Sequence, residues 1–312
     1  MYLPKPLDDA RKTLVNSRWA IGIVPDYKPG AILSKRFENI CWIKPNDRFN
    51  FYADCFVTDY FGEPLIYFEN WESKRGTGII SYVSVSDALK HSDDIEPYVH
   101  TALSSDTHFS YPYLFEFEGN LHMIPENFQS GELAIYHCTG SPDSWEKASV
   151  VFPDYQGIDP NIFYHDGLWW LFVTPYSLLT RAAETELEIY YTDNPITGVW
   201  KKHALSPIHY EESVARNGGK PFVHDGILYR PTQNCMRTYG GELNLMRIDV
   251  LTPDKFSESL VSTLPGYAPY EKAFHTFSSA GDVAVIDGNS SEYSLRMPFF
   301  FLRYVKNIFV KK

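Results

Sequence analysis

Four stretches of the chain repeat one pattern of strand, glycine turn and strand. ADCFVTDYFGEPLIYFE turns at Gly62, HFSYPYLFEFEGNLHMIPE at Gly119, IDPNIFYHDGLWWLFVT at Gly167 and GGKPFVHDGILYRPTQ at Gly226. Eight residues before the glycine stand Asp54, Tyr111, Asp159 and Gly218; seven after it stand Glu69, Glu126, Thr174 and Gln233. A weaker fifth copy, HTFSSAGDVAVIDG, offers Gly281 or Gly288 as its turn. A lone hairpin cannot bury its apolar face. Units recurring at intervals of 48 to 59 residues therefore stack on one another, which is the pattern of a propeller. Five copies predict an all-β, five-bladed β-propeller.

The strands can be placed in order. Trp19–Val24 and Cys41–Ile43 precede the first full repeat, so they are expected to complete the last blade and close the ring, which removes exposed sheet edges. Blade 1 is expected over residues 49–99 with a third strand at 79–85, and blade 2 over 108–151 with a third strand at 133–138. Blade 3 is expected over 157–205 with a third strand at 187–192. Residues 176–186 read there as an insertion over the channel mouth. Blade 4 is expected over 213–259 with a third strand at 243–248, and blade 5 over 267–289. No linker interrupts them, so residues 1–292 read as one domain, with one helical turn expected around Asp8 to Leu14.

Composition supports a pleated core: 44% of residues are hydrophobic and 16% aromatic. With 39 acids against 28 bases the net charge is −11, which argues against a nucleic-acid partner. Cys41, Cys55, Cys138 and Cys235 form no CxxC pair and read as free thiols of a reducing compartment. The acids near the N-terminus do not fit a secretion signal, and no run of 18 apolar residues occurs, so a cytoplasmic protein is expected.

Residues 293–312 differ in kind. They hold five bases and no acid, with Arg303, Asn307 and Lys311 spaced to form one polar stripe of a short C-terminal amphipathic helix. Such a helix either packs on the propeller or, through residues 297–312, lies on an anionic membrane surface as a peripheral anchor at the inner face.

In a propeller the innermost strand of each blade lines the channel, and residues at its start point into one mouth. Asp54, Tyr111, Asp159 and Gly218 should therefore converge. A single Asp ahead of a strand commonly caps a turn. Two at one register point instead to a shared site, where carboxylates divide acid and base roles in sugar acetal chemistry. By register the same mouth receives His108, Arg216, Lys220 and His275. Glu126, Arg230 and Gln233 fall on second strands, nearer the other ends of their hairpins. Of Trp169 and Trp170, alternation directs one ring inward and the other outward.

The pattern ADxF in the first blade and DPxxF in the third resembles the glycoside hydrolase family 43 type of propeller. HFSYPYLFEFEGNLHMIPE, GIDPNIFYHDGLWWLFVTP, ARNGGKPFVHDGILYRPTQ with Tyr239-Gly240, and HTFSSAGDVAVIDG resemble more closely the N-terminal propeller of glucosamine inositolphosphorylceramide transferases and its bacterial relatives from polysaccharide loci. The matching runs cover about Trp19 to Asn289. The family 43 resemblance implies a general base at Asp54 and a second, orienting carboxylate at Asp159. The general acid it implies in blade 4 is missing: the chain reads Arg216-Asn217-Gly218-Gly219-Lys220 there. A guanidinium cannot deliver a proton at neutral pH but binds carboxylate or phosphate in a fork.

Three functions follow. The first is glycosyl transfer from a phosphate-activated sugar donor in surface polysaccharide or glycolipid assembly, with Asp54 or Asp159 activating the acceptor and Arg216 and His275 receiving the phosphate. The second is glycoside hydrolysis with Glu126 as the acid. The third is a non-catalytic glycan-binding module. The partner expected is a carbohydrate or a sugar phosphate. No GxGxxG follows a strand and the sequence identifies no metal site, so no cofactor is expected.

Overall fold

The turn glycines sit where the backbone needs them. The pairs Glu118-Gly119, Asp166-Gly167 and Asp225-Gly226 all have positive φ, between 47° and 82°, as two-residue hairpins that match the strand twist require. The computed structural model describes residues 15–293, apart from residues 17, 36, 178, 179, 181 and 291. The helical turn expected at 8–14, the amphipathic helix expected at 293–312 but for its first residue, and the membrane anchor expected at 297–312 lie outside the described residues.

The described chain is an all-β five-bladed propeller built of sequential antiparallel sheets. Blade 1 is Phe51–Thr58, Leu65–Glu72, Thr77–Ser84 and His100–Leu103. Blade 2 is Ser110–Phe117, Asn120–Glu126, Leu133–Cys138 and Trp145–Phe152. Blade 3 is Gly157–His165, Leu168–Pro175 and Glu186–Thr192, with short outer pieces Lys201–Lys202 and Ile208–His209. Blade 4 is Phe222–His224, Ile227–Asn234, Glu242–Thr252 and Lys255–Leu264. Outer strands run past the expected limits: His100–Leu103 beyond residue 99, Trp145–Phe152 by one residue beyond 151, Ile208–His209 beyond 205 and Lys255–Leu264 beyond 259.

Blade 5 is closed as the early strands require. Phe277–Ala280 and Val283–Asn289 are joined by Trp19–Val24 and Cys41–Ile43, with Trp19 opposite Asn289 and Val24 opposite Ala284. Its turn is at Gly281, not Gly288, since Ala280 pairs with Val283. Gly288 sits inside a strand, packed against Trp42 and Tyr270. The core lies between neighbouring blades. Phe56, Tyr113, Ile124 and Leu171 join blades 1 to 3, Ile21, Val57 and Val285 join blades 5 and 1, and Leu243, Phe277 and Ile286 join blades 4 and 5. Among the described residues no helix is long and apolar enough to cross a membrane.

One irregularity repeats and prepares the site. The first strands of blades 1, 2 and 3 each carry a bulge, between Ala53 and Phe56, Ser110 and Tyr113, and Ile158 and Asn161. Each bulge has a left-handed residue, Asp54 (φ 52°), Tyr111 (45°) or Asp159 (46°). Asp tolerates this backbone; for a bulky Tyr it is an outlier that the surroundings must hold in place. In blade 4 the left-handed residue is one position later, Gly219 at φ 127°, where an added Cβ would come 1.9 Å from the Phe277 carbonyl oxygen.

Candidate functional site

Three of the left-handed residues turn a backbone N–H out of its ladder, and each of these is captured by another blade. Asp54 N donates to Asp287 Oδ2 at 3.2 Å, Asp159 N to Glu126 Oε2 at 3.2 Å, and Gly219 N to the Tyr111 hydroxyl at 2.8 Å. The Tyr111 hydroxyl in turn donates to Asn161 Oδ1 at 3.0 Å, so one buried phenol joins blades 2, 3 and 4. Buried N–H groups need acceptors, and these bonds explain why polar residues crowd the axis.

They surround a cavity of about 240 Å³, the scale of one sugar unit. Asp54, Glu69 and Glu126 supply its acids, and Arg216, His275 and His108 its nitrogen groups. Trp19, Phe51, Trp71 and Tyr239 supply aromatic wall. Phe51 and Trp71 stack with centroids 5.7 Å apart, and Trp19 lies face to face on His275 at 4.0 Å. Flat apolar faces beside convergent polar groups are what a pyranose ring and its hydroxyls require.

The acids titrate differently from free carboxylates. Burial, against the pull of His275, raises Asp54 to about 6. Glu69 is pushed well up by burial and by the neighbouring Asp54 and Glu126 carboxylates. Glu126 is pushed well up by burial and by Asp159, and Arg216 only partly offsets this. The cavity therefore holds Asp54, raised to about 6, beside two glutamic acids whose proton affinity burial and neighbouring carboxylates increase further, which sets their roles apart.

A histidine backs the base. His275 Nδ1 lies 2.5 Å from Asp287 Oδ2, and Nε2 faces Asp54 Oδ1 at 3.8 Å. Burial alone would lower its pKa, but Asp287 and Asp54 raise it, so the ring holds its proton toward neutral pH. Asp287 Oδ1 also accepts the backbone N–H groups of His275 and Thr276, at 2.9 and 3.0 Å. Thr276 Oγ1 donates to Asp54 Oδ1 at 3.2 Å. Among the described residues Asp54, His275 and Asp287 are the trio whose ligand-type atoms come within 4.8 Å of one another. Within it, a protonated His275 is paired with Asp287, and Asp54 stands on the other side of the ring.

His108 is different. Burial lowers it to about 4, so it is neutral. Its Nδ1 accepts the Gly78 N–H at 2.7 Å, leaving Nε2–H toward Glu69 Oε1 at 3.5 Å.

The structure brings together Asp54, Glu126, His108, Arg216 and His275 as cavity residues, with Asp159 directly behind them. Asp159 is covered by Arg216, whose Nε is paired with its Oδ2. Gln233 Nε2 donates to the same Asp159 oxygen at 2.8 Å, so Gln233 positions Asp159 without lining the cavity. Glu126 is at the same end as Asp54, not at the other end of its hairpin. In an antiparallel pair the second strand finishes beside the start of the first, and Glu126 pairs with Ser110 as Glu69 pairs with Ala53.

Three more of the expected residues stand apart from the cavity. Tyr111 is spent on the blade tie. Arg230 is fully buried and forms a fork with Glu258, 2.9 and 2.5 Å, while its Nη1 reaches Asn217 Oδ1 at 3.0 Å. Lys220 lies beyond left-handed Gly219 and faces the field of Glu116 and Asp59, near the hairpin turns at the opposite end of the channel. No described residue of the 176–186 insertion lines the cavity.

Sequence reasoning overlooked Glu69, Asp287, Trp19, Trp71 and Tyr239. Glu69 shares the register of Glu126 and was open to detection on that ground. The Arg216 guanidinium lies 4.9 Å from the Tyr239 ring centre, and Tyr239 stands edge-on to His275 at 5.6 Å.

The fold and the family can be compared with known proteins. A thermostable family-43 glycoside hydrolase superposes with a TM-score of 0.51 at 14% identity, covering 69% of this chain and 77% of that one, which shows a shared fold. Glucosamine inositolphosphorylceramide transferase 1 of Oryza sativa subsp. japonica is 32% identical over 255 residues, covering 76% of this chain and 34% of that protein. Its counterpart from Arabidopsis thaliana is 31% identical over 211 residues, covering 67% and 27%. The chain thus spans about a third of the length of the curated relatives it matches. Residues 43–276 match the family model described as glucosamine inositolphosphorylceramide transferase 1, N-terminal. The chain belongs to that N-terminal family.

Proposed function

We propose that the cavity receives one sugar unit and that the chain transfers its glycosyl group by acid–base chemistry. The observation that carries this reading is the ionisable set in one chamber: Asp54 at about 6, with Glu69 and Glu126 pushed well above the usual carboxylate range by burial, beside aromatic wall. Asp54 takes the proton of the acceptor hydroxyl as that oxygen bonds to the anomeric carbon. The bond from the anomeric carbon to the leaving oxygen breaks, and Glu126 returns a proton to that oxygen. Hydrolysis is the same sequence with water as acceptor.

Arg216 takes another part than gripping a phosphate. Its charge is matched by Asp159, and Nη2 stands 4.0 Å from Glu126 Oε2. It orients the acid and keeps N–H donors for a sugar hydroxyl. The relatives' name includes a sugar, glucosamine, and a phosphoryl lipid. For this chain we take from it a substrate in glycolipid or surface-polysaccharide assembly.

The test is product formation from a panel of aryl glycosides, sugar 1-phosphates and nucleotide sugars, with wild type and Asp54→Asn. Turnover that disappears in the variant while sugar binding stays is the expected result. Sugar binding by wild type without turnover of any donor would leave the glycan-binding module as the function.

A further inference from the structure

Residues 235–241 join the second and third strands of blade 4 and pass over His275. Their backbone is pinned at several points. The Gly240 N–H donates to Cys235 Sγ at 3.4 Å, the Gly241 N–H to the Asn234 carbonyl at 3.1 Å, and the Phe274 N–H to the Gly240 carbonyl at 3.0 Å. Gly240 has a φ of 57°, and a Cβ there would come 2.6 Å from the His275 side chain, so only glycine lets the chain run this close to the ring. The side chain that these contacts hold in place is Tyr239. It lines the cavity, stands edge-on to His275 at 5.6 Å and carries the Arg216 guanidinium 4.9 Å from its ring centre.

Tyr239 thus bridges the two halves of the site, since His275 backs Asp54 and Arg216 reaches both Asp159 and Glu126. The residue is 41% exposed, yet burial is the main cause that pushes its hydroxyl well above the ordinary phenol range. The open part is the ring at the mouth, and the hydroxyl is the enclosed end. Arg216 pulls that hydroxyl the other way, and Asp159, Asp54 and Glu126 add to the rise, so it sits in the field of both the proposed base and the proposed acid. A phenol in such surroundings keeps its proton and acts as a hydrogen-bond donor. The other tyrosine at the axis, Tyr111, spends its hydroxyl on the blade tie, whereas the Tyr239 hydroxyl makes no hydrogen bond among the described residues. An enclosed donor without a protein partner is placed for a ligand.

We propose that Tyr239 is a substrate-contacting residue that selects among sugars: its hydroxyl donates to one hydroxyl of the sugar unit and fixes the rotation of the ring between Asp54 and Glu126. The proposal rests on the reading of the cavity as a sugar site. A sugar that lacks the contacted hydroxyl, or carries it in the other configuration, leaves the enclosed phenol unpaired and is rejected for that reason.

The experiment is calorimetric titration of the full chain with glucose, galactose, mannose and xylose, each beside its monodeoxy forms. It is run on wild type, Tyr239→Phe and Tyr239→Ala, with thermal unfolding of each. Tyr239→Phe removes one oxygen and keeps the ring against Arg216 and His275, so its unfolding midpoint should match wild type. It should bind the preferred sugar about 3- to 10-fold more weakly, the scale of one net hydrogen bond. One deoxy form should show the same loss on wild type and no further loss on Tyr239→Phe, which identifies the contacted hydroxyl. Tyr239→Ala should lose more, because part of the aromatic wall goes with the hydroxyl. Equal binding by wild type and Tyr239→Phe overturns the assignment and leaves the sugar cavity standing. A loss in Tyr239→Phe that every deoxy form repeats in full also overturns it, since the effect then passes through packing. Failure of all these sugars to bind wild type would remove both readings.

Discussion

Glu126 Oε2 accepts the backbone N–H of Asp159 at 3.2 Å, tying the end of a blade 2 strand to the bulge of blade 3. One carboxyl group thus has two duties, a structural acceptor and a cavity acid. The two can be separated by substitution. Glu126→Gln keeps an oxygen that can accept the Asp159 N–H but removes the transferable proton. It should unfold near the wild-type denaturant midpoint while turnover drops by about 10²–10⁴-fold. Glu126→Ala leaves the buried N–H without an acceptor and should cost about 1–3 kcal/mol of stability. Equal destabilisation by both variants in urea titrations would contradict the assignment.

As the proposed base, Asp54 sets the pH dependence expected of the reaction. It acts as a base only when ionised, and burial raises it to about 6. The acid limb of kcat/KM should therefore rise through about pH 6, well above the range of an ordinary Asp. Asn tolerates the left-handed backbone at this position, so Asp54→Asn should keep the fold, abolish that limb and lower kcat by about 10²–10⁴-fold. A pH–rate profile whose acid limb lies near 4 would assign the base elsewhere.

Arg230 and Glu258 form a structural pair, their side chains 0% and 1% exposed. Tyr210 also donates to Glu258 Oε1 at 2.6 Å, which completes a closed network between the second and fourth strands of blade 4. Arg230→Met leaves a buried carboxylate without its counter-ion and should cost about 3–5 kcal/mol. Adding Glu258→Leu should recover much of the loss, because the burial penalty of the ions is then removed on both sides. Calorimetry with a bound monosaccharide should show the same affinity in every variant that folds. A selective loss of sugar affinity in Arg230→Met would return this residue to the site.

The propeller was legible because its signals are local. A two-residue hairpin with positive φ at both turn positions selects glycine, and the strands on either side alternate regularly, so Gly119, Gly167 and Gly226 mark three blades directly. Asp54 and Asp159 were found by the same register, since the bulge recurs at one place in each blade. The rest of the site depends on pairings between residues distant in sequence, within a blade as well as between blades. Arg230 resembled a channel residue because Glu258 is 28 positions away on an outer strand. Asp287 acts through backbone N–H groups that no side-chain pattern displays. Trp19 and Trp71 were lost among the aromatic residues that fill the core, and Lys220 was misplaced because the left-handed residue of blade 4 is Gly219, one position later than the register of blades 1 to 3.

The cavity should make the protein less stable as pH rises. The folded-state pKa values of Asp54, Glu69, Glu126 and His275 are all raised, so the native state binds these protons more tightly than the unfolded chain does. Such groups contribute stability that is fully present below their unfolded pKa values and lost as pH rises through the folded ones. For Asp54 that window runs from 3.8 to about 6. Asp54→Asn removes this group's share of the loss and should be more stable than wild type above the window, by up to about 3 kcal/mol at roughly 1.4 kcal/mol per pKa unit. Well below pH 3.8 the difference should vanish, because Asp54 is protonated in both states there. Guanidinium titrations of both proteins at about pH 3, 6 and 8 provide the check. A constant difference across the three would show that the substitution acts through packing instead of through the buried charge.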